Sequence, residues 1–64
     1  MAKSKVTLKE ARKNAGLTIE QIAEKMGRNR STIMNWESGK TLPTLLQAKE
    51  LSDFYKISID CIDF

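Results

Sequence analysis

The sequence predicts a compact, all-α domain built from five short helices, and three observations support this fold class. Apolar residues recur at separations of three and four residues, which is the spacing of one helical face. Thr7, Thr18 and Thr44 are each followed three residues later by Glu or Gln, the capping-box pattern at the start of a helix. Each of the three glycines stands where a helix is predicted to end. With 64 residues, the chain has room for one small core.

The first helix is predicted to begin after Thr7 and to end near Ala15. Its apolar face carries Leu8, Ala11 and Ala15. Arg12 falls on the same face, where a guanidinium needs either a partner or a stem that extends past its neighbours. Residues 1–6 precede this helix and are expected to form an N-terminal arm, so the domain itself is expected to occupy residues 7–64.

The second and third helices are predicted to meet at a tight turn around Gly27. Thr18 begins the second helix, and Asn29 is a suitable N-cap for the third. Ala23 is small where the two helices must cross, as a short turn requires. The side chains expected to face inward are Ile19, Ile22, Ala23 and Met26 from the second helix and Ile33 and Trp36 from the third. The segment therefore predicts a corner of two amphipathic helices.

A fourth helix is predicted from about Leu45 to Tyr55, after a loop that follows Gly39. Its buried stripe is expected to be Leu45, Ala48, Leu51, Ser52 and Tyr55. Ser58 is expected to cap a fifth, short helix. The residues that this last helix presents to the core are Ile59 and Ile62.

Composition narrows the classes of function. The chain carries 11 Lys and Arg against 8 Asp and Glu, and most of the basic residues lie in its N-terminal part, around the predicted corner, which fits a polyanionic partner. There is no histidine and one cysteine, Cys61, so we expect no metal site, no cofactor and no enzymatic activity. Neither a membrane-spanning run nor a signal-peptide pattern is seen in the sequence. We therefore expect a cytoplasmic, nucleoid-associated protein without a membrane partner.

Three parts of the sequence together resemble a known family. They are the corner residues Ile22, Ala23, Met26, Gly27, Ile33 and Trp36, the loop ESGKTLP, and the closing pattern of Ile57, Ser58, Ile59, Asp60 and Ile62. These features are similar to the repressor-like helix-turn-helix domains of the Cro and XRE type, which occur in phage and bacterial regulators, and the resemblance extends from Leu8 to Ile62. It implies a five-helix repressor-like domain that binds double-stranded DNA sequence-specifically, with its third helix in the major groove, as a transcriptional regulator that acts by occlusion or recruitment; a repressor is the expectation, and an activator stays open.

The N-terminal end and outer side of the third helix are predicted to read base pairs. Because Ile33 and Trp36 are turned inward, the residues that face outward are Asn29, Arg30, Ser31, Met34 and Asn35. Arg30 has the donor fork for guanine, and Asn35 has the amide for adenine. Two alternatives stay open, since Arg30 could contact phosphate and Asn35 could be a solvated helix residue.

The resemblance also implies a set of phosphate contacts. In the family the loop after the third helix lies against the DNA backbone, and this assigns phosphate contacts to Ser38, Lys40 and Thr41. The N-terminus of the second helix at Thr18 is expected to attract phosphate through the helix dipole. The sequence departs from the family pattern at Ile19, where a phosphate-binding Gln is common, and at Arg28, where a buried aliphatic residue is usual. Arg28 is therefore assigned to phosphate as well.

An ion pair is predicted between Arg12 and Glu37. Glu37 stands beside Trp36 on the inward side of the third helix, as Arg12 does on the first. A planar guanidinium and a carboxylate can form two hydrogen bonds to each other, and the resemblance supports a link between these helices. The alternative is two unrelated surface charges.

An apolar stripe of Leu46 and Phe54 is predicted outside the buried face of the fourth helix. Repressor-like domains commonly dimerise in this region, so the resemblance implies a dimer patch of Leu46, Phe54, Ile57 and Phe64. We expect a homodimer, at least on DNA, and a near-palindromic operator. Scattered surface apolar residues are the simpler explanation of this stripe. An alternative function is a protein-interaction module, an antitoxin-like or anti-repressor partner that uses the same fold and this stripe.

Overall fold

A computed structural model describes residues 5–64, which form four α-helices, one 3₁₀ helix and two short strands. Helix α1 spans Leu8–Asn14, α2 spans Ile19–Met26, α3 spans Arg30–Ser38 and α4 spans Leu45–Tyr55. The 3₁₀ helix spans Ile59–Cys61, and the strands are β1, Val6–Thr7, and β2, Ile62–Asp63. The bounds predicted for the first four helices are confirmed.

The starts of three helices follow from local sequence. Each of the predicted capping boxes is present: the threonine oxygen accepts from the backbone N–H three residues on, at 3.1 to 3.2 Å, and the Glu or Gln oxygen accepts from the threonine N–H at 2.9 to 3.0 Å. Gly27 and Gly39 end α2 and α3 at φ values of 65° and 80°. The turn between α2 and α3 is therefore as short as predicted, because glycine adopts this left-handed conformation without a side-chain clash.

The prediction of a fifth α-helix is wrong. Residues 59–61 form a single 3₁₀ turn, and Ile62 then becomes extended, with φ −103° and ψ 128°. In that conformation its backbone pairs with Val6 in a two-stranded parallel ladder while its side chain stays buried. The fold is thus mostly helical rather than entirely so. Val6 belongs to β1 rather than to the predicted arm of residues 1–6, and residues 1–4 of that arm lie outside the described residues.

The core lies where α1, α2, α3 and α4 meet. Its buried members are Leu8, Ala11, Ile22, Ala23, Ile33, Trp36, Leu51, Tyr55 and Ile62. Two residues predicted to be buried are exposed. Ala15 follows the last turn of α1, and Leu45 is the first residue of α4, whose buried face starts only at Ala48. Residues at helix ends project past the neighbouring elements, so helical periodicity alone overestimated how far the core reaches.

Candidate nucleic-acid interface

The structure joins Arg12 of α1 to Glu37 of α3. The Arg12 Nε donates to Glu37 Oε2 at 2.7 Å and Nη2 donates to Oε1 at 3.5 Å, while Nη1 donates to the carbonyl of Leu17 at 2.9 Å. Both side chains are only 10% exposed. The guanidinium therefore links α1, the chain entering α2, and α3, and it holds α3 in place relative to the rest of the corner.

Tyr55 of α4 packs in the core close to this ion pair. Burial and, to a smaller extent, the Glu37 carboxylate raise the pKa of Tyr55 to about 12, while the Arg12 guanidinium opposes both effects. The phenol consequently stays protonated through the physiological range, and this part of the core carries one positive and one negative charge that face each other.

The outer surface at the start of α3 carries most of the predicted base-reading residues. Ile33 and Trp36 are buried, and this orientation leaves Arg30, Ser31 and Met34 exposed. A groove between the N-terminal ends of α2 and α3 is lined by Arg12, Thr18, Ile19, Glu20, Asn29, Arg30, Ser31 and Met34. Four of the five predicted base readers thus meet at one groove.

Two of the predicted base-reading residues differ from expectation in detail. Asn29 occupies the N-cap position of α3 in an extended backbone conformation, but its side chain makes no capping hydrogen bond and is exposed. Asn35 is half-buried and does not line the groove. Its backbone carbonyl accepts hydrogen bonds from the loop that follows α3. Asn35 therefore stands apart from the other four residues.

An ion pair that sequence reasoning missed lies at the edge of the groove. The Arg30 Nη1 is 3.6 Å from Oε1 of Glu20 in α2, and both side chains are well exposed, at 67% and 76%. Glu20 is an exposed residue in the first turn of α2. The pairing depends on the angle between two helices, so no local sequence pattern could have indicated it.

The residues assigned to phosphate are exposed, but several of their backbone amides are already used. The N–H groups of Lys40 and Thr41 donate to the carbonyl of Asn35 at 2.9 and 3.3 Å, and the Ser38 hydroxyl donates to the same carbonyl at 3.2 Å. The Thr18 N–H is engaged in the capping box of α2. What this surface offers to an anion is therefore chiefly side chains: the amine of Lys40, the hydroxyl of Thr41 and the guanidinium of Arg28.

The four residues proposed as a dimer patch are not equally exposed. Leu46 and Phe64 are exposed, whereas Phe54 and Ile57 are half-buried and pack against the core. The Lys25 Nζ lies 5.9 Å from the centre of the Phe54 ring, a cation–π contact between α2 and α4. Leu42 and Leu45, which precede Leu46 closely in the sequence, are also strongly exposed, so the most exposed large apolar side chains lie at the start of α4 and just before it.

In the described part of the chain, no group of three His, Cys, Asp or Glu side chains could hold a metal ion. No helix among residues 5–64 has the length and apolar character to cross a membrane.

Comparisons with known proteins were consistent with this geometry. A family model described as helix-turn-helix matches residues 8–60. The chain is 40% identical over 53 residues to the HTH-type transcriptional activator BcrR of Enterococcus faecalis, over 83% of this chain and 26% of that protein. It is 40% identical over 45 residues to an uncharacterized HTH-type transcriptional regulator of Methanothermobacter thermautotrophicus, over 70% of this chain and 65% of that protein. The chain thus spans less than two thirds of the length of either relative. No solved structure matches it significantly.

Proposed function

Because the chain belongs to the Cro/XRE-type helix-turn-helix family of transcriptional regulators, we propose that it binds duplex DNA sequence-specifically, with α3 in the major groove. The observation that carries this proposal is the exposed surface at the N-terminal end of α3. Arg30, Ser31 and Met34 are exposed there, while Ile33 and Trp36 attach the opposite side of the helix to the core. A helix held in this way presents a short row of side chains to a groove wide enough to admit it.

Each exposed side chain of α3 has a chemical counterpart on a base edge. The Arg30 guanidinium can donate two hydrogen bonds to guanine O6 and N7, and Met34 can pack against a thymine methyl group. Asn29 and Ser31 can add hydrogen bonds nearby. Asn35 is half-buried and outside the groove, so we assign it a secondary role in base reading.

Contacts between protein side chains and the DNA phosphate backbone would supply a second, sequence-independent part of the affinity for DNA. Lys40 and Arg28 are exposed cations that follow α3 and α2, and the hydroxyls of Thr18, Ser38 and Thr41 are exposed near the ends of the same helices. Each phosphate neutralised releases counterions, so this contribution falls as salt rises. Lys and Arg therefore position the domain, and α3 specifies the site.

A single domain of this size offers a small DNA interface, and tight binding is expected to need two copies. We propose a homodimer on a near-palindromic operator whose half-sites lie one helical turn apart, about 34 Å. Regulation would then be repression by occlusion of the promoter. A reporter gene whose expression rises, rather than falls, when the protein is supplied would contradict repression without contradicting DNA binding.

Selection of bound sequences from random duplex DNA tests the proposed function directly. Wild-type protein is expected to enrich one motif with two related half-sites. Lys49→Ala, which removes an exposed positive charge from α4, serves as a control and is expected to enrich the same motif. A pool that stays random after repeated rounds with folded wild-type protein would contradict sequence-specific binding.

The exposed leucines at the start of α4 favour a second candidate function, that of a protein-interaction module. Leu42, Leu45 and Leu46 are 67%, 76% and 70% exposed. An apolar surface of this kind fits a partner protein better than a DNA backbone. This alternative predicts undetectable DNA binding even at low salt, together with loss of the partner complex on Leu46→Glu.

A further inference from the structure

Arg30 occupies an electrostatically unfavourable position. It is the first residue of α3, where the helix dipole presents partial positive charge, and the first turn of α3 contains no acidic residue. The carboxylate that pairs with it comes from the second residue of another helix, Glu20 of α2, at 3.6 Å. Glu20 therefore supplies from α2 the negative charge that α3 lacks.

The pair lies on the surface that would face DNA. Glu20 and Arg30 both line the groove between the N-terminal ends of α2 and α3, together with Asn29, Ser31 and Met34. Both side chains are highly exposed, and an exposed ion pair contributes little to folding stability. A carboxylate at this place also repels phosphate and lowers affinity for any DNA. The Glu20 carboxylate therefore weakens binding to DNA of any sequence. A role in discriminating between DNA sequences would account for its presence on this surface.

We infer that Glu20 is a positioning residue that determines specificity: its carboxylate holds the Arg30 guanidinium over the groove and keeps it from the phosphate backbone. This inference rests on the proposed function. A guanidinium has five N–H donors, so Arg30 can donate to Glu20 from one edge and to guanine from another. The attraction strengthens when DNA displaces water from the groove, because the effective dielectric constant falls. The Arg30 guanidinium is thus already oriented when it meets a guanine. A DNA phosphate, in contrast, must compete with the Glu20 carboxylate for the guanidinium.

The test compares Glu20→Gln with Glu24→Gln in the full chain. Both changes remove one negative charge from an exposed position of α2, but Glu24 is outside the groove and forms no ion pair in the described residues. Dissociation constants are measured for the selected operator, for its single-base variants and for random-sequence duplex at several salt concentrations. Thermal unfolding is recorded for each variant, and both are expected to fold because glutamine is a good helix former.

Glu20→Gln is expected to tighten binding to random duplex about two- to five-fold, the size that an exposed ion pair supports. It is also expected to reduce the preference for guanine over the other bases at the operator position that Arg30 reads. The base preferences at the other operator positions are expected to stay unchanged. Glu24→Gln is expected to change the dissociation constant by the same factor for every duplex. In an Arg30→Ala background, Glu20→Gln is expected to leave base preference unchanged.

The inference would be overturned if Glu20→Gln kept the wild-type preference at every position, or if Glu24→Gln relaxed preference to the same extent. Failure of the proposed function looks different. In that case wild-type protein itself shows no preference among duplexes, and both proposals fall together.

Discussion

At the scale of single residues, Arg12 shows how this small core accepts a charge. Its side chain is buried, yet Nε, Nη1 and Nη2 each have an acceptor, two on Glu37 and one on Leu17. A buried charge that loses its partner is expensive, whereas loss of both partners leaves a smaller defect. The coupling between Arg12 and Glu37 is therefore large enough to measure.

Glu37→Ala is expected to lower the free energy of unfolding by about 1 to 3 kcal/mol, because it leaves a desolvated guanidinium without its carboxylate. The double variant Arg12→Ala, Glu37→Ala should lose less than the sum of the two single variants. Urea unfolding of all four proteins measures the coupling. Strict additivity of the single effects would contradict an energetically significant pair.

Tyr55 gives a prediction on alkaline pH. Its pKa is raised to about 12 in the folded protein, above the value of about 10 in an unfolded chain. The unfolded state therefore releases this proton first, so stability should fall as pH rises from about 10 towards 12, by up to about 1.4 kcal/mol per pH unit. Tyr55 is the one tyrosine in the chain, and phenolate absorbance reports its titration directly.

Tyr55→Phe is the control for this titration. It should remove the phenolate signal and flatten the alkaline loss of stability. A phenolate midpoint near 10 in the folded wild-type protein would contradict the effect of burial.

Arg30 and Lys40 are both exposed cations near α3, and they are predicted to act differently on DNA. Arg30→Ala should cost about 1 to 3 kcal/mol on the operator and relax preference at one base position. Lys40→Ala should weaken all sequences alike and reduce the salt slope by about one. The measurement is binding to single-base operator variants at several salt concentrations, with Lys49→Ala as the charge-matched control. If Arg30→Ala weakened binding to every operator variant equally, Arg30 would not read a base. Specificity would then depend on the other α3 residues or on DNA shape.

At the scale of secondary-structure elements, α1, α2 and α4 each begin with a capping box, and α4 ends with an unusual C-cap. Its C-cap is Lys56, which adopts a left-handed conformation at φ 55°, the one non-glycine residue with positive φ in the described chain. The Lys56 N–H donates to the carbonyl of Asp53 at 3.3 Å. A side chain in this conformation costs about 1 to 2 kcal/mol, which glycine avoids.

Lys56→Gly is accordingly expected to raise the free energy of unfolding by about 0.5 to 1 kcal/mol, since relief of strain outweighs the added freedom of the unfolded chain. Lys49→Gly is the matched control. Lys49 is exposed within the same helix at negative φ, and glycine there should destabilise by about 1 kcal/mol. Thermal unfolding that shows destabilisation by both substitutions would contradict the assigned strain.

At the scale of the whole molecule, the apolar surface at the start of α4 provides the test of assembly. Leu46 is strongly exposed, whereas Phe54 packs partly against the core, so Leu46 is the one of these two residues that can be changed without disturbing the fold. Leu46→Glu should weaken the homodimer, and cooperative binding to two half-sites, by about tenfold or more, as loss of an interface anchor does. Lys49→Ala, with the same change in net charge, should leave both unchanged. Sedimentation with and without operator DNA measures the assembly, and a monomer bound at a single half-site would contradict the homodimer.

The local parts of the fold could be predicted from the sequence because their causes lie within three or four residues. Hydroxyl caps at Thr7, Thr18 and Thr44, the left-handed turns at Gly27 and Gly39, and the inward faces of the helices depend on neighbours along the chain. The family resemblance, confirmed by the match over residues 8–60, added the arrangement of these helices. The outward face of α3 followed from the same periodicity.

The tertiary structure alone decided the contacts between residues far apart in the chain. Val6 pairs with Ile62, so the predicted fifth helix is a single 3₁₀ turn followed by a strand, and Glu20 meets Arg30 across the angle between α2 and α3. Leu45 is exposed although its periodicity matches a buried stripe. Periodicity specifies the direction in which a side chain points from its own helix. Whether another element lies in that direction depends on how the helices pack, and that packing is a property of the whole chain.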